Sequence, residues 1–198
     1  MSIITRHLSL PTPHGKLAAL LTRPETARAL ILMAQTGPHP AHTLVAATLA
    51  ARNFAILSVD LLTEQEARFH EHQEDVALHA GRLISTLDFI RNDGDTEDLM
   101  VGLYTSDHAA PAAIRAAAQR DATIRAVVVC GGLIDRAGLQ YLEALVAPLL
   151  VLVDPEDEAT RTASERAFKH LAAVHEMHQA ESAAVAPKTS AWFDLWLR

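Results

Sequence analysis

The stretch LMVGLYTSDHAAPAAIRAAAQR, residues 99–120, decides the fold of this 198-residue chain. Its first part, Leu99–Tyr104, is a short apolar run that predicts a buried strand, and Ala109–Arg120 is an alanine-rich segment that predicts a helix. A buried strand that turns sharply into a helix is typical of a parallel sheet whose faces are covered by helices.

The same alternation extends along the chain in both directions. Apolar runs predict further strands at Ile3–Leu10, Lys16–Thr22, Ala29–Ala34, Phe54–Val59, Ile124–Cys130, Leu149–Val153 and Leu171–Met177. Helical periodicity predicts further helices at Thr43–Arg52, Gln73–Arg91 and Lys188–Leu197, with Ala183–Pro187 as a short connector. Pro11-Thr12-Pro13-His14-Gly15 indicates a hairpin between the first two strands. We therefore predict one α/β domain over residues 1–198, with a doubly wound, mostly parallel sheet flanked by helices.

The composition excludes several classes of partner. The net charge is −7 and there is no basic block, so we expect neither nucleic acid nor a membrane as a partner. Met1–Leu10 lacks the layout of a signal peptide, and the single Cys130 cannot form an internal disulfide, so we expect a cytoplasmic protein. Gly131-Gly132 is no nucleotide fingerprint, and we expect no cofactor. A small-molecule substrate or ligand is the expected partner, and an exposed edge strand or the C-terminal helix leaves a homodimer open.

Doubly wound sheets carry their functional groups on the loops after the strands, and the turn after Tyr104 is the first place to search. A sharp turn that lifts a side chain above the sheet is strained, so the residues two before and two after its tip must be small. A tip at Asp107 places Thr105 and Ala109 there, whereas a tip at Ser106 places bulkier residues there. The alternative is that Ser106 or Asp107 is simply the N-cap of the following helix.

Two later strand ends carry further candidates. Asp154-Pro155-Glu156-Asp157-Glu158 follows Val153 and offers a carboxylate to orient a histidine, or an acidic start to the next helix. His175 and His178 follow the last apolar run, and their spacing is a weak metal signal without a third ligand. We expect no metal.

The remaining histidines and the cysteine favour structural interpretations. His70, His72 and His79 begin a polar helix and are expected to form a solvated face, and His39 and His42 are interpreted in the same way. Cys130 ends a strand, lacks a nearby base and is expected to be a buried, inert core residue.

Four segments together resemble small α/β-hydrolases of the dienelactone hydrolase-like group. They are Ala29–Met33, the run Asp60-Leu61-Leu62-Thr63-Glu64 with the preceding Val59, the turn after Gly102, and Gly131-Gly132-Leu133-Ile134-Asp135. The resemblance covers nearly the whole chain in order and implies an α/β-hydrolase fold without a cap domain. It also implies hydrolysis of small esters or lactones.

The resemblance assigns roles to individual residues. Asp107 stands at the nucleophile position, with Ser106 as the alternative, while Asp157 stands at the acid and His178 at the base, His175 being a poorer fit. Gln35, Thr36 and Gly37 stand in the oxyanion loop, to which His108 is added as the residue after the tip.

This sequence departs from the family pattern at two of these sites. Asp107 replaces the usual Ser or Cys, and Gln35-Thr36 replaces His-Gly, with Pro38 lacking an N–H. Dehalogenases and epoxide hydrolases use an Asp at this position, but they carry a cap that this chain has no insertion for. Two hypotheses follow: a hydrolase with an atypical Asp107, or a catalytically inactive hydrolase-like protein that binds a ligand or a protein partner.

Overall fold

The computed structural model describes residues 3–13 and 15–198. Met1, Ser2 and His14, the last within the predicted hairpin connection, lie outside the described residues. The strands of the described part are β1 Ile3–Thr12, β2 Gly15–Pro24, β3 Ala29–Gln35, β4 Phe54–Asp60, β5 Val101–Ser106, β6 Ile124–Cys130, β7 Leu149–Val153 and β8 His175–Gln179. Its α-helices are α1 His42–Ala50, α2 His70–Gln73, α3 Val76–Ile90, α4 Ala110–Gln119, α5 Leu139–Ala144, α6 Glu158–Phe168 and α7 Ser182–Trp196.

The strands form one eight-stranded sheet in the order β1-β2-β4-β3-β5-β6-β7-β8. The first two strands form an antiparallel hairpin, and β2 pairs antiparallel with β4. Every later pairing, from β4–β3 to β7–β8, is parallel. The predicted mostly parallel sheet is therefore confirmed, and the carboxyl ends of β3 to β8 meet at one edge.

Helices cover both faces of this sheet. One core contains Leu83 and Leu87 of α3 and Ala112 of α4, packed on β-strand side chains. The other contains Val45 of α1 and Phe193 of α7. This two-sided burial explains why the central strands are continuous apolar runs rather than alternating ones. Among the described helices, none is long and apolar enough to cross a membrane.

A buried ion pair fixes the loop after β4. Arg82 is 0% exposed and donates hydrogen bonds to the carbonyl oxygen of Leu61 at 2.6 Å and to both carboxylate oxygens of Glu66 at 2.7 and 2.9 Å. Glu66 also accepts from the backbone N–H and hydroxyl of Thr63, both at 2.9 Å. The hydrogen bonds from Arg82 are the main reason that the pKa of Glu66 falls to about 2. The run Asp60–Glu64, which carries the family resemblance, is thus held by a largely buried ion pair.

Two predictions near the C-terminus are wrong in their bounds. The last strand is β8, His175–Gln179, not Leu171–Met177, and it begins four residues later. Helix α7 begins at Ser182, so Ala183–Pro187 is helical rather than a connector. The shift of β8 matters for function because it moves His178 from the loop after the strand into the strand itself.

Candidate active site

The turn between β5 and α4 places Asp107 at its tip. Ser106 ends the strand in an extended conformation (φ −135°), and Asp107 follows with φ +47° in the left-handed region. Left-handed backbone is strained for residues other than glycine, although Asp tolerates it better than most. A one-turn 3-10 helix, Asp107–Ala109, leads into α4, and Ser106 occupies its N-cap position without a capping hydrogen bond from its side chain.

Gly131 and Gly132, which follow β6, make room for this tip. Both have positive φ angles, +76° and +86°. A Cβ on Gly132 would lie 2.1 Å from the Asp107 carbonyl oxygen, and one on Gly131 would lie 2.8 Å from Asp107 Oδ1. Only glycine fits this close approach. The glycine pair, which carried no role in the sequence beyond the family resemblance, therefore belongs to the candidate site.

Asp107 lines two cavities. The larger, of about 350 Å³, is lined by Glu74, Val76, Asp107, His108, Pro111, Gly132, Leu133, Arg136, Asp157, Ala159 and Thr160. The smaller, of about 100 Å³, is lined by His39, Asp107, Cys130, Gly131, Asp154, Asp157, Ala180, Ser182 and Val185. An exposed residue that lines both cavities is available to a small molecule in either.

The surroundings of Asp107 raise its pKa. Partial desolvation of the carboxyl, whose side chain still reaches solvent, is the main cause, and the negative charge of Asp157 acts in the same direction. His39 and His108 oppose the shift. A carboxylate with a raised pKa is a stronger base than an ordinary aspartate.

Asp157 has the helix-start role that was one of its two interpretations, and among the described residues no histidine contacts its carboxylate. It is the N-cap of α6, and its carboxylate accepts hydrogen bonds from the backbone N–H of Thr160 at 2.9 Å and from the Thr160 hydroxyl at 2.5 Å. It also lines both cavities beside Asp107. The structure brings these two predicted site residues together.

The structure does not bring His178 into this group. Its imidazole Nε2 lies 2.8 Å from the Glu176 carboxylate, within β8, and His178 lines neither of the two cavities. His175 contacts the Ala173 carbonyl oxygen through Nδ1 at 2.8 Å and stacks on Phe168. The expected base position, just after β8, is instead occupied by residues 180–182, of which Ala180 and Ser182 face the smaller cavity.

Gln35, the first residue of the predicted oxyanion loop, belongs to a hydrogen-bond network instead. The Gln35 side chain contacts both His42 and Asp60, so it is committed to a hydrogen-bond network. Thr36 and Gly37 follow in the loop before α1, and His108 lines the larger cavity. The backbone N–H of His108 is the donor that follows the tip of the turn.

His42 was missed by the sequence reasoning, and its interpretation as a solvated residue is wrong. Burial lowers its pKa to about 4, with a smaller contribution from His39, and its Nε2 lies 3.1 Å from the Ser106 hydroxyl. His42 is half-buried, whereas His79 is fully buried, with Nε2 2.8 Å from the His72 carbonyl oxygen. No sequence signal distinguished these two histidines from exposed ones, because their burial depends on packing.

The interpretation of Cys130 as a core residue is confirmed. It is buried, and that burial raises the pKa of its thiol to about 11. Such a thiol is protonated at neutral pH and is a poor nucleophile. Across residues 3–13 and 15–198, no group of three or more His, Cys, Asp and Glu side chains is arranged to hold a metal ion.

The fold and this turn define the class of protein. Over 100% of both chains, the structure matches a dienelactone hydrolase from Anabaena variabilis with a TM-score of 0.92 and 28% sequence identity. It also matches a cold-adapted esterase from an Arctic intertidal metagenomic library with a TM-score of 0.76 and 16% identity, over 100% of this chain and 96% of the esterase. The chain therefore has the α/β-hydrolase fold, and its 198 residues carry it without a cap domain.

Sequence comparison points to a second kind of relative. The chain is 36% identical, over 154 residues, to Mycobacterium tuberculosis proteins that carry the provisional name phosphoribosyl transferase. The match covers 76% of this chain and 34% of those proteins, so the chain spans about a third of their length. No family model matches the chain.

Proposed function

We propose that this protein is a hydrolase of small ester or lactone substrates in which the Asp107 carboxyl is the reacting group. The observation that carries the proposal is the position of Asp107 at the tip of a strained turn, facing a cavity of about 350 Å³. Likeness to dienelactone hydrolases and esterases supports the substrate class.

Two routes are open to an aspartate at this position. In the first, the carboxylate attacks the alkyl carbon of the substrate and displaces the substrate's own carboxylate, which gives a covalent Asp107 ester that a second base must then help water to cleave. His178 would be that base in the family pattern, but it pairs with Glu176 inside β8. In the second, the carboxylate acts directly on water and needs no other base. The geometry favours the second route.

One carboxyl group is enough for the water route, because it takes up a proton in the first step and returns it in the last. Asp107 takes a proton from a water molecule as the water oxygen bonds to the substrate carbonyl carbon. The carbonyl oxygen becomes negative and accepts a hydrogen bond from the backbone N–H of His108. When the carbon–oxygen bond to the leaving group breaks, Asp107 returns its proton to the departing alkoxide. The raised pKa of Asp107 strengthens it as the base in the first step.

The lining of the larger cavity indicates which substrates fit. Asp107 shares the cavity with two further carboxylates, Glu74 and Asp157. Arg136 lies 3.4 Å from Glu74 and is therefore partly neutralised. The surplus of negative charge disfavours anionic substrates, so we propose neutral or cationic esters and lactones.

Replacing Asp107 with Asn tests the proposal. Asn keeps the size of the side chain and tolerates left-handed backbone, but it cannot accept the proton. We expect kcat/KM on a neutral aryl acetate to fall by about 100-fold or more, the usual contribution of a general base. Asp88→Asn is the matched control, because Asp88 pairs with Arg120 on the exposed face of the protein. Equal activity in the wild type and the Asp107→Asn variant would refute the proposal.

A ligand-binding protein is the second candidate. It is favoured by the residues after β8, where Ala180 and Ser182 stand in place of a histidine. This candidate predicts that small lactones raise the melting temperature of the wild type without being hydrolysed. The provisional name of the Mycobacterium tuberculosis proteins does not decide between the candidates, because about two thirds of their length lies outside the match.

A further inference from the structure

A chain of hydrogen bonds crosses the carboxyl ends of three neighbouring strands beside the candidate site. Asp60 of β4 accepts from Gln35 Nε2 of β3 at 2.6 Å, and Gln35 Oε1 contacts His42 Nδ1 at the start of α1. His42 Nε2 in turn lies 3.1 Å from the hydroxyl of Ser106, the last residue of β5. The chain therefore ends on the residue directly before Asp107.

The chemistry of the groups fixes the direction of every bond. Asp60 can only accept, so the amide nitrogen of Gln35 faces it and the amide oxygen is left for His42. An amide oxygen also only accepts, so His42 Nδ1 must carry the proton. In the neutral ring Nε2 is then an acceptor, and the Ser106 hydroxyl must donate to it.

The surroundings of His42 keep its ring neutral. Its pKa is lowered to about 4, first by burial and then by the nearby His39, whose ring centre lies 5.2 Å away. Tyr104 of β5 contacts the ring edge-on at 5.4 Å, and burial raises the pKa of its phenol, so it too is uncharged at neutral pH. Asp60 faces the ring only through the Gln35 amide. At neutral pH the direction of the chain is therefore constant.

We propose that Asp60, Gln35 and His42 position the Asp107 carboxyl by holding the Ser106 hydroxyl. Ser106 is 3% exposed and lines neither cavity, so it acts on the turn rather than on a substrate. Holding Ser106 in place fixes the end of β5 and hence the strained residue that follows. His42 is therefore a positioning residue, and this inference depends on the proposed role of Asp107.

A double-mutant cycle tests the inference in the full-length protein. Ser106→Ala and His42→Ala should each lower kcat by about 10-fold, with little change in KM, since a misplaced reacting group loses rate rather than affinity. The double variant should be no slower than the single variants, because both changes break the same connection. His42→Gln retains an acceptor near the position of Nε2 and should recover part of the rate. Additive losses, or no recovery, would overturn the inference.

Nuclear magnetic resonance supplies a readout that needs no turnover. The Asp107 carboxyl carbon is titrated in the wild type, in Ser106→Ala and in His42→Gln, whose folding is first checked by circular dichroism. We expect the Asp107 pKa to fall toward its ordinary value in Ser106→Ala, because a looser turn exposes the carboxyl to water, and to move less in His42→Gln. The nitrogen signals of His42 should show a neutral ring protonated on Nδ1.

The two experiments separate this inference from the proposed function. A wild type without turnover would refute the hydrolase proposal, while the titration would still decide whether the chain of hydrogen bonds positions Asp107. An Asp107 titration unchanged in Ser106→Ala would overturn the positioning role even in an active enzyme. Covalent labelling of Ser106 by a fluorophosphonate would also overturn it, because Ser106 would then be a reacting group.

Discussion

Two carboxylates near the carboxyl edge of the parallel strands have opposite environments. Glu66 is held by Arg82 and Thr63, and its pKa falls to about 2. Asp107 sits on strained backbone, its pKa is raised, and within the described residues no group donates a hydrogen bond to its carboxyl. A paired charge stabilises a loop, whereas an exposed carboxylate without a hydrogen-bond donor is available to a ligand. The contrast separates the structural charge from the candidate reacting one.

The largest expected effect comes from breaking the paired region. Arg82→Ala leaves Glu66 without its main partner and the Leu61 carbonyl oxygen without a donor. Removing one member of a buried pair costs about 3–5 kcal/mol, and we expect the lower end because Glu66 is partly exposed. Urea unfolding measures the loss. Arg120→Ala, which breaks an exposed pair with Asp88, should cost at most about 1 kcal/mol. Similar losses of unfolding free energy in the two variants would show that the Arg82–Glu66 pair is no more important to stability than an exposed pair.

The charge around Asp107 should appear as a substrate preference. Among matched aryl esters whose acyl groups carry a positive, zero or negative charge, kcat/KM should be lowest for the anionic ester, by roughly 10-fold, because charges in contact differ by one to a few kcal/mol. Glu74→Gln should reduce this preference by removing one of the three carboxylates of the cavity. A wild type that favours the anionic ester would show that Arg136 controls the cavity.

The pH dependence of the reaction tests whether the raised pKa of Asp107 controls the activity. Asp107 must be ionised to accept a proton, so activity should fall as the pH drops through its pKa, which lies above that of an ordinary aspartate. Asp157 helps to raise that pKa, so Asp157→Asn should move this acidic limb to lower pH. Asn is also a good N-cap, so α6 should be retained. A limb that moves to higher pH, measured from kcat/KM against pH, would contradict the assignment of this limb to Asp107.

The smallest expected effect is on stability. A raised pKa means that the fold disfavours the ionised form of Asp107, so the folded protein loses stability as the pH rises through that pKa. Asp107→Asn removes this loss and should raise the melting temperature at pH 8 by at most about 1 °C, because water screens the charge of this exposed side chain. The gain should shrink at pH 3, below the ordinary pKa of aspartate, where both states are protonated. A gain that is the same at both values of pH would show that the carboxylate carries no folding cost.

Sequence reasoning predicted the elements that are buried on both faces. Ile124–Cys130 and Leu149–Val153 have the predicted bounds, because an uninterrupted apolar run between polar neighbours leaves little choice of register. Strand β8 was misplaced because it lies at the edge of the sheet, where His175–Gln179 need not be apolar. Its bounds are set by backbone pairing with β7, which no side-chain pattern reveals.

The candidate site was predictable in part for the same reason. The turn at Asp107 could be located because the small residues Thr105 and Ala109 leave a sharp bend only one tip. Burial of His42 could not be predicted, since it depends on how α1 packs beside β3 and β5. The roles of Gln35 and Asp60 depend on that burial in turn. Local geometry is encoded in neighbouring residues, whereas a network that joins three strands is visible only in the folded chain.

An oxygen isotope experiment tests most directly whether the Asp107 carboxyl activates water. The wild-type protein is allowed many turnovers of a neutral lactone in water enriched in oxygen-18, and the product and the peptide containing Asp107 are weighed by mass spectrometry. We expect the heavy oxygen in the product acid and none in the Asp107 carboxyl. Heavy oxygen in the Asp107 carboxyl would contradict this expectation, because the residue would then have formed a covalent ester with the substrate.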